Sequence, residues 1–340
     1  MPIKVSPRKY ESPRWSYEFF DCSMPLTFDT YSVCAFRCVY CFSFFQKAIN
    51  VGMKDDYLSS TVRAVDVERV KKIWKGELKT EFRKAIEDRL VLQWGGLADG
   101  FDYYERELGV SLELLRFWRE LEYPLSISTK GTWFVDDPRY REAFKGAKHI
   151  HVKITIIGWD EGLCRRIELG VPSPQERLRA LRVLNDLGVG ATTLRLRPFI
   201  PGVSEKNLER LIAEAADAGV YSVSSEFLFW DKRAMIFSRH RLRYLSDILG
   251  YDLEEFYRRY SYPAKGGLLR LNYEFKRPYF EKLKELCDKY GLRLAISDCH
   301  HKEKSFGGSC CGLPTEGPLS NYQKGQFTQA IVIARERGLC

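Results

Sequence analysis

From Pro25 to Asp298 the sequence keeps changing its hydrophobic period, and that alternation restricts the fold more than any other feature. Seven segments read as strands: PLTFDTYS (25–32), RLVLQWGG (89–96), PLSISTKG (124–131), HIHVKITII (149–157), ATTLRLRPF (191–199), YSVSSEFLFW (221–230) and LRLAISD (292–298). Helical patterns stand between them, among them SLELLRFWRELE (111–122), DPRYREAFKGA (137–147), PSPQERLRALRVLNDLG (172–188), SEKNLERLIAEAADAG (204–219) and YFEKLKELCDKYG (279–291). Proline near the start and glycine at the end mark 172–188 as a helix. Ser204 is the expected N-cap of the next one. Residues from about Asp66 to Leu90 add a helical stretch with Val67, Val70 and Ile73 on one side. Strand and helix in alternation call for a parallel sheet, either doubly wound or closed toward a β/α barrel. In both, ligands bind at the C-terminal strand ends. The loop after the first strand, Gly95-Gly96 after the second and Thr129-Lys130-Gly131 after the third therefore converge on one rim.

Hydrophobic residues make up 45% and charged residues 29% of the 340, so the chain can bury a large core. It has no run of about 18 apolar residues and no apolar leader, which predicts a cytoplasmic protein. In a reducing compartment, ten cysteines point to metal or redox chemistry rather than a disulfide scaffold.

Three of those cysteines lie in TYSVCAFRCVYCFSFFQK (30–47): Cys34, Cys38 and Cys41, spaced C-x3-C-x2-C. Thiolates suit zinc or iron–sulfur centres. A structural zinc wants four ligands, and a [4Fe–4S] cube normally takes four thiolates. One loop with three cysteines and no nearby histidine leaves one iron of a cube open.

This spacing, on a loop after the first strand and with Tyr40 and Phe42 flanking the third cysteine, resembles the radical SAM enzymes. The resemblance implies a partial (β/α)6 barrel, with a helical insertion after the first strand (about 51–89) and a Cys-rich C-terminal tail. It also implies a [4Fe–4S] cluster on Cys34, Cys38 and Cys41, whose open iron chelates S-adenosylmethionine (SAM). An aromatic at Tyr40 or Phe42 would lie beside the adenine. Further motifs resemble the spore photoproduct lyase group. In Gly95-Gly96-Leu97-Ala98-Asp99 the glycines let the backbone approach SAM, and Asp99 is a candidate for its amino group or ribose, with Glu105 or Glu107 downstream. In ISTKG, Lys130 takes the place of the lysine that pairs with the SAM carboxylate. In KITII, Thr155 or Lys153 would face SAM. Glu168 and Arg177 match positions in IELGVPSPQERLRAL. Arg195 and Arg197 alternate on one strand face and would line the barrel, as ligand contacts or as members of ion pairs. The lyase carries a hydrogen-donor cysteine at the end of its second strand; Gly96 stands there in this sequence, Ala98 replaces a serine and Gly100 a proline.

The tail DCHHKEKSFGGSCCGLP (298–314) holds Cys299, Cys310, Cys311, His300 and His301. It suggests an auxiliary iron–sulfur or zinc centre, a hydrogen-donor thiol, or a lid. Cys22, Cys164, Cys287 and Cys340 have no partners by sequence. The domain reading is an N-terminal extension (1–24), a barrel core (25–235) and a C-terminal region (236–340). With a net charge of +9 and the aromatic, basic stretch FLFWDKRAMIFSRHRLRY (227–244), the lyase resemblance favours a nucleobase in DNA or RNA as substrate. A peptide or small metabolite is the alternative, and a non-catalytic Fe–S or zinc nucleic-acid-binding protein the second one. A flavodoxin- or ferredoxin-like electron donor is the expected protein partner.

Overall fold

The computed structural model describes residues 3–16, 23–43, 61–231, 239–262, 268–307 and 309–322. Cys22, Cys340 and residues 232–238 of the basic stretch lie outside them. The main sheet has eight strands: β1 (Arg14–Trp15), β2 (Leu26–Phe28), β3 (Leu92–Trp94), β4 (Leu125–Thr129), β5 (Ile150–Thr155), β6 (Ala191–Phe199), β7 (Ser222–Phe227) and β8 (Arg293–Ile296). They lie side by side in chain order. β2 through β8 are all parallel, and β1 joins the edge antiparallel to β2. This is the parallel sheet that the alternation predicts, in the partial-barrel form that the resemblance implies. The N-terminal stretch thus contributes a strand to the sheet, and β8 continues the sheet past residue 235.

The strands alternate with a period of two, and the alternation assigns the faces. Leu125 and Ile127, then Ile150, Val152 and Ile154, are buried in the hydrophobic core. The helix Val110–Glu120 adds Leu112, Leu114, Leu115, Phe117 and Trp118 to it. The other set is polar: Ser126, Ser128, His151, Lys153, Thr155, Thr193 and Arg195. A parallel strand covered by apolar layers on both faces would be hydrophobic throughout. Here one face is a polar lumen. Near the strand starts it is laced by Ser126 Oγ–His151 Nδ1 (3.0 Å), His151 Nε2–Thr193 Oγ1 (2.7 Å) and Thr193 Oγ1–Ser222 Oγ (2.7 Å).

Three local expectations change. The helical stretch expected from about Asp66 to Leu90 is two helices, Val67–Lys75 and Arg83–Glu87, and of the insertion expected at about 51–89, residues 51–60 lie outside the described residues while Thr61–Val62 pairs with Lys4–Val5. Gly76 at φ +86° ends the first of these helices in the left-handed region that glycine tolerates. Ser204 is not an N-cap. It is buried, donates to the Ile157 carbonyl and accepts from Ile200 N, and the helix starts at Leu208 after Asn207. The late helix begins at Tyr273, six residues before the expected start, because Asn272 caps Phe275 N at 2.9 Å and Pro278 is accommodated inside it.

That helix brings Lys276 into the core between Glu226 (3.0 Å) and Asp298 (2.7 Å). The triad ties β7, the helix and the segment after β8 together. Removing the cation strands two largely buried carboxylates. Lys276→Met should therefore lower the unfolding free energy by roughly 2–3 kcal/mol, read as a shift in urea midpoint at unchanged slope.

Candidate cluster and cofactor site

The cysteine loop is held by the protein itself. Residues Arg37–Cys38 form a two-residue antiparallel ribbon with Glu168–Leu169. Val39 N donates to the Ile167 carbonyl at 2.9 Å and Cys41 N to the Cys38 carbonyl at 3.1 Å. Tyr40 is buried, and its hydroxyl donates to Glu168. Glu168 in turn pairs with Arg177 at 2.8 Å, both 1% exposed, and Arg177 Nη1 donates to the Thr155 carbonyl at 2.6 Å. The loop is thereby anchored to the end of β5. Glu168 and Arg177, picked out in the sequence by resemblance, form that anchor.

Two carboxylates that the sequence reading did not single out, Asp102 and Asp29, set the other side together with Glu105. Asp102 accepts from Ala35 N (2.5 Å), from Tyr104 N (2.8 Å) and from the Cys34 thiol, so one N-cap residue grips the cysteine loop. Its signal was present: an aspartate just before YYEREL has the pattern of a helix cap. Asp29, at the end of β2, accepts from Leu97 N (2.9 Å) and Ala98 N (3.1 Å) and pairs with Arg14 (2.6 Å). Glu105 is fully buried and accepts from Tyr31, Tyr140, Ser111 N and Leu112 N. It is therefore a packing hub, and Glu107 is exposed.

Asp99 sits where the rim segments meet. Its carboxylate accepts from Phe101 N (2.9 Å), Thr129 Oγ1 (2.8 Å) and Lys130 N (2.7 Å), which ties the glycine turn to the end of β4. Three of its roughly four acceptor positions are thus spent on the protein. Lys130 Nζ stands 5.7 Å from the centre of the Tyr40 ring, and its charge works on Cys38. Phe42 is 38% exposed, so of the two aromatics it is the one with a free face. Gly95 has φ +86°, and a Cβ there would collide with the Ser128 carbonyl; a Cβ on Gly96 would meet Thr27 Oγ1 at 2.6 Å. Gly95→Ala should cost roughly 2 kcal/mol, measurable by denaturant unfolding.

Burial, followed by the charges of Asp102 and Asp99, pushes the Cys34 thiol up. Burial pushes Cys38 up to about 12 against the opposing pull of Lys130. A metal must displace these protons to bind. The donor set fits a cluster better than a single ion. Zinc with Zn–S near 2.3 Å holds its sulfurs about 3.8 Å apart. Among the described residues, the compact trio with ligand atoms within 4.8 Å of one another is Asp298, Cys299 and His300, not the loop cysteines. Asp298 in that trio is already bound by Lys276 and His300 N.

The structure does not gather Cys299, Cys310 and Cys311 into one compact mononuclear site. Cys310 and Cys311 instead turn inward with Met24, Val91, Ala191, Leu313 and Leu319. Thr155 Oγ1 accepts from Arg195 (3.2 Å), Arg197 donates to Ser297 Oγ (2.8 Å) and Lys153 to Gln93 (2.6 Å). Among the described residues, Arg195 and Arg197 have no carboxylate partners of the kind that internal ion pairs would require; they bond Thr155 and Ser297 instead.

A partial parallel barrel with a three-cysteine loop on its C-terminal rim defines the class. The profile of the radical SAM superfamily matches residues 29–215, and the chain belongs to that superfamily of enzymes. It is 25% identical over 202 residues to uncharacterised proteins of Mycobacterium bovis and Mycobacterium tuberculosis. That match covers 58% of this chain and spans only 57% of their length. Among solved structures, a cysteine-to-serine variant of spore photoproduct lyase superposes with a TM-score of 0.61 at 16% identity, covering 86% of this chain and 80% of the lyase. The lyase complexed with dinucleoside spore photoproduct gives 0.59 at 16% identity with the same coverage. At these identities the likeness is one of fold. No helix among the described residues is long and apolar enough to cross a membrane.

Proposed function

We propose that the chain binds a [4Fe–4S] cluster on Cys34, Cys38 and Cys41 and uses it to cleave SAM. The observation that carries this reading is the cysteine loop itself: three thiols on a protein-anchored rim, beside a lysine and a glycine turn. When bound, the cluster supplies one electron to SAM and yields a 5′-deoxyadenosyl radical, which takes hydrogen from a substrate carbon. The chain's residues orient the cofactor. Lys130 pairs with the SAM carboxylate, Phe42 covers the adenine, and the Gly95-Gly96 backbone allows close approach. Asp99 fixes Lys130 and the turn relative to each other, and Thr155 lines the opposite side. A flavodoxin- or ferredoxin-like protein would supply the electron. The substrate reading is a nucleobase, supported by the net positive charge and by the dinucleoside bound to the lyase of similar fold.

Anaerobic reconstitution should give a brown protein with about four irons that forms 5′-deoxyadenosine from SAM on reduction with dithionite. A reconstituted protein that forms none, even with cell extract added as substrate, refutes the reading. Iron well above four would reveal a second centre. A charge-assisted bond is worth about 1.5–3 kcal/mol, so Lys130→Met should raise the KM for SAM roughly 10- to 100-fold while iron content stays at the wild-type level.

A further inference from the structure

The tail closes the polar lumen from the side of the strand starts. Cys310 N donates to Ser23 Oγ at 3.3 Å, and Ser23 Oγ donates to Cys310 Sγ at 3.7 Å. Ser222 Oγ donates to the Gly312 carbonyl at 2.8 Å. Because Ser23 precedes β2 and Ser222 starts β7, the tail spans between strands near opposite sides of the sheet. It buries Cys310 and Cys311 to 7% and 9% exposure.

The two sulfurs have unusual surroundings. They hydrogen-bond each other, and Lys153 hydrogen-bonds Cys311. Arg197 and Lys302 act on Cys310, and Arg195 on both. Among the described residues, no carboxylate pairs with Lys153, Arg195 or Arg197; their partners are Gln93, Thr155 and Ser297. Buried cations without counter-charge are costly. A sulfur pair sharing one proton, one thiol and one thiolate, supplies the missing negative charge. The Cys311 hydrogen bond, with the arginine and lysine charges, holds the Cys310 thiol well below its usual range. Arg195 spans from this pair to Thr155 Oγ1 at the rim and also acts on Tyr40 in the cysteine loop.

From this geometry we propose that Cys311 is the hydrogen-atom donor that quenches the radical in the lumen, with Cys310 as its redox partner. The proposal rests on the radical SAM reading and fills the role of the thiol that Gly96 cannot provide. The Cys311 S–H bond breaks homolytically and a C–H bond forms on the radical carbon. The Cys311 thiyl joins the Cys310 thiolate in a three-electron bond. An oxidised iron–sulfur centre, when bound, would serve as the one-electron acceptor that leaves a Cys310–Cys311 disulfide. The pair has thus given up one hydrogen atom and one electron, and a dithiol reductant restores the thiol and the thiolate with two electrons and one proton.

The test uses the 5′-deoxyadenosyl radical itself as probe. Reconstituted full-length protein is reduced with dithionite in D2O with SAM and no added substrate, quenched in acid and alkylated. Wild type should yield 5′-deoxyadenosine carrying one deuterium from the exchanged thiol, with a Cys310–Cys311 disulfide appearing in step. Cys311→Ser should lose the disulfide and several-fold of the deuterated fraction. Cys310→Ser should keep the deuterium and lose the disulfide. An unchanged deuterated fraction in Cys311→Ser overturns the proposal, as do wild-type thiols that stay reduced, a result that needs no variant to fold. If no 5′-deoxyadenosine forms at all, the radical SAM reading falls as well, which separates the two failures.

Discussion

Cys38→Ala, reconstituted anaerobically, should bind almost no iron and form no 5′-deoxyadenosine above background, yet melt close to wild type. The expectation follows from how the loop is held. Its ribbon with Glu168–Leu169, the Tyr40–Glu168 bond and the Asp102 contacts to Ala35 N and Cys34 are all protein–protein interactions. None needs a metal. Alanine at Cys38 removes one buried sulfur, a loss of about 1 kcal/mol, which moves the melting point of a 340-residue chain by roughly 1–2 °C. A purely structural zinc or cluster behaves differently, because its binding energy is folding energy and apo protein unfolds. Iron content, 5′-deoxyadenosine yield and thermal melting of wild type and variant, each with and without metal, measure the difference. If stripping the metal from wild type collapsed the fold, the centre would be structural and the catalytic reading would lose its main support.

Much of the fold was legible because the strands carry two independent patterns. Their alternation with helices announces a parallel sheet. Arg195 and Arg197, alternating on β6, point to a polar face toward the barrel interior, and the polar residues at every second position of β4 and β5 carry the same pattern. The cysteine spacing is equally local, as are the glycine turn and Lys130. What could not be read were contacts between segments far apart in the chain. Asp29 reaches residues 97 and 98, Glu105 gathers Tyr31 and Tyr140, and Lys276 finds Glu226 and Asp298. Each of these side chains is an ordinary charged residue in its local window, and only tertiary packing makes it a buried hub. The tail shows the same limit. Its vicinal cysteines suggest a metal centre when counted as ligands, and only the fold places them beside Lys153 and outside the compact Asp298–Cys299–His300 trio.

Arg177→Met should be among the most destabilising single substitutions in the chain. Arg177 and Glu168 are each 1% exposed. Removing the guanidinium leaves Glu168, among the described residues, with the Tyr40 hydroxyl alone, and the Thr155 carbonyl without its Arg177 donor. A buried carboxylate stripped of its cation costs roughly 3–5 kcal/mol, enough to lower the melting point of a 340-residue chain by roughly 4–7 °C. The reverse does not follow: the intact pair is not thereby worth that much, since its own desolvation offsets its attraction. The double variant Glu168→Leu/Arg177→Met should accordingly recover a large part of the loss, and a double-mutant cycle should show strong coupling. The functional consequence separates this pair from an ordinary core contact. Glu168 is both the ribbon partner of Cys38 and the acceptor for Tyr40. The stability-rescued double variant should therefore still take up iron more slowly than wild type during reconstitution. Uptake at the wild-type rate would mean that the anchor stabilises the barrel without positioning the cysteine loop.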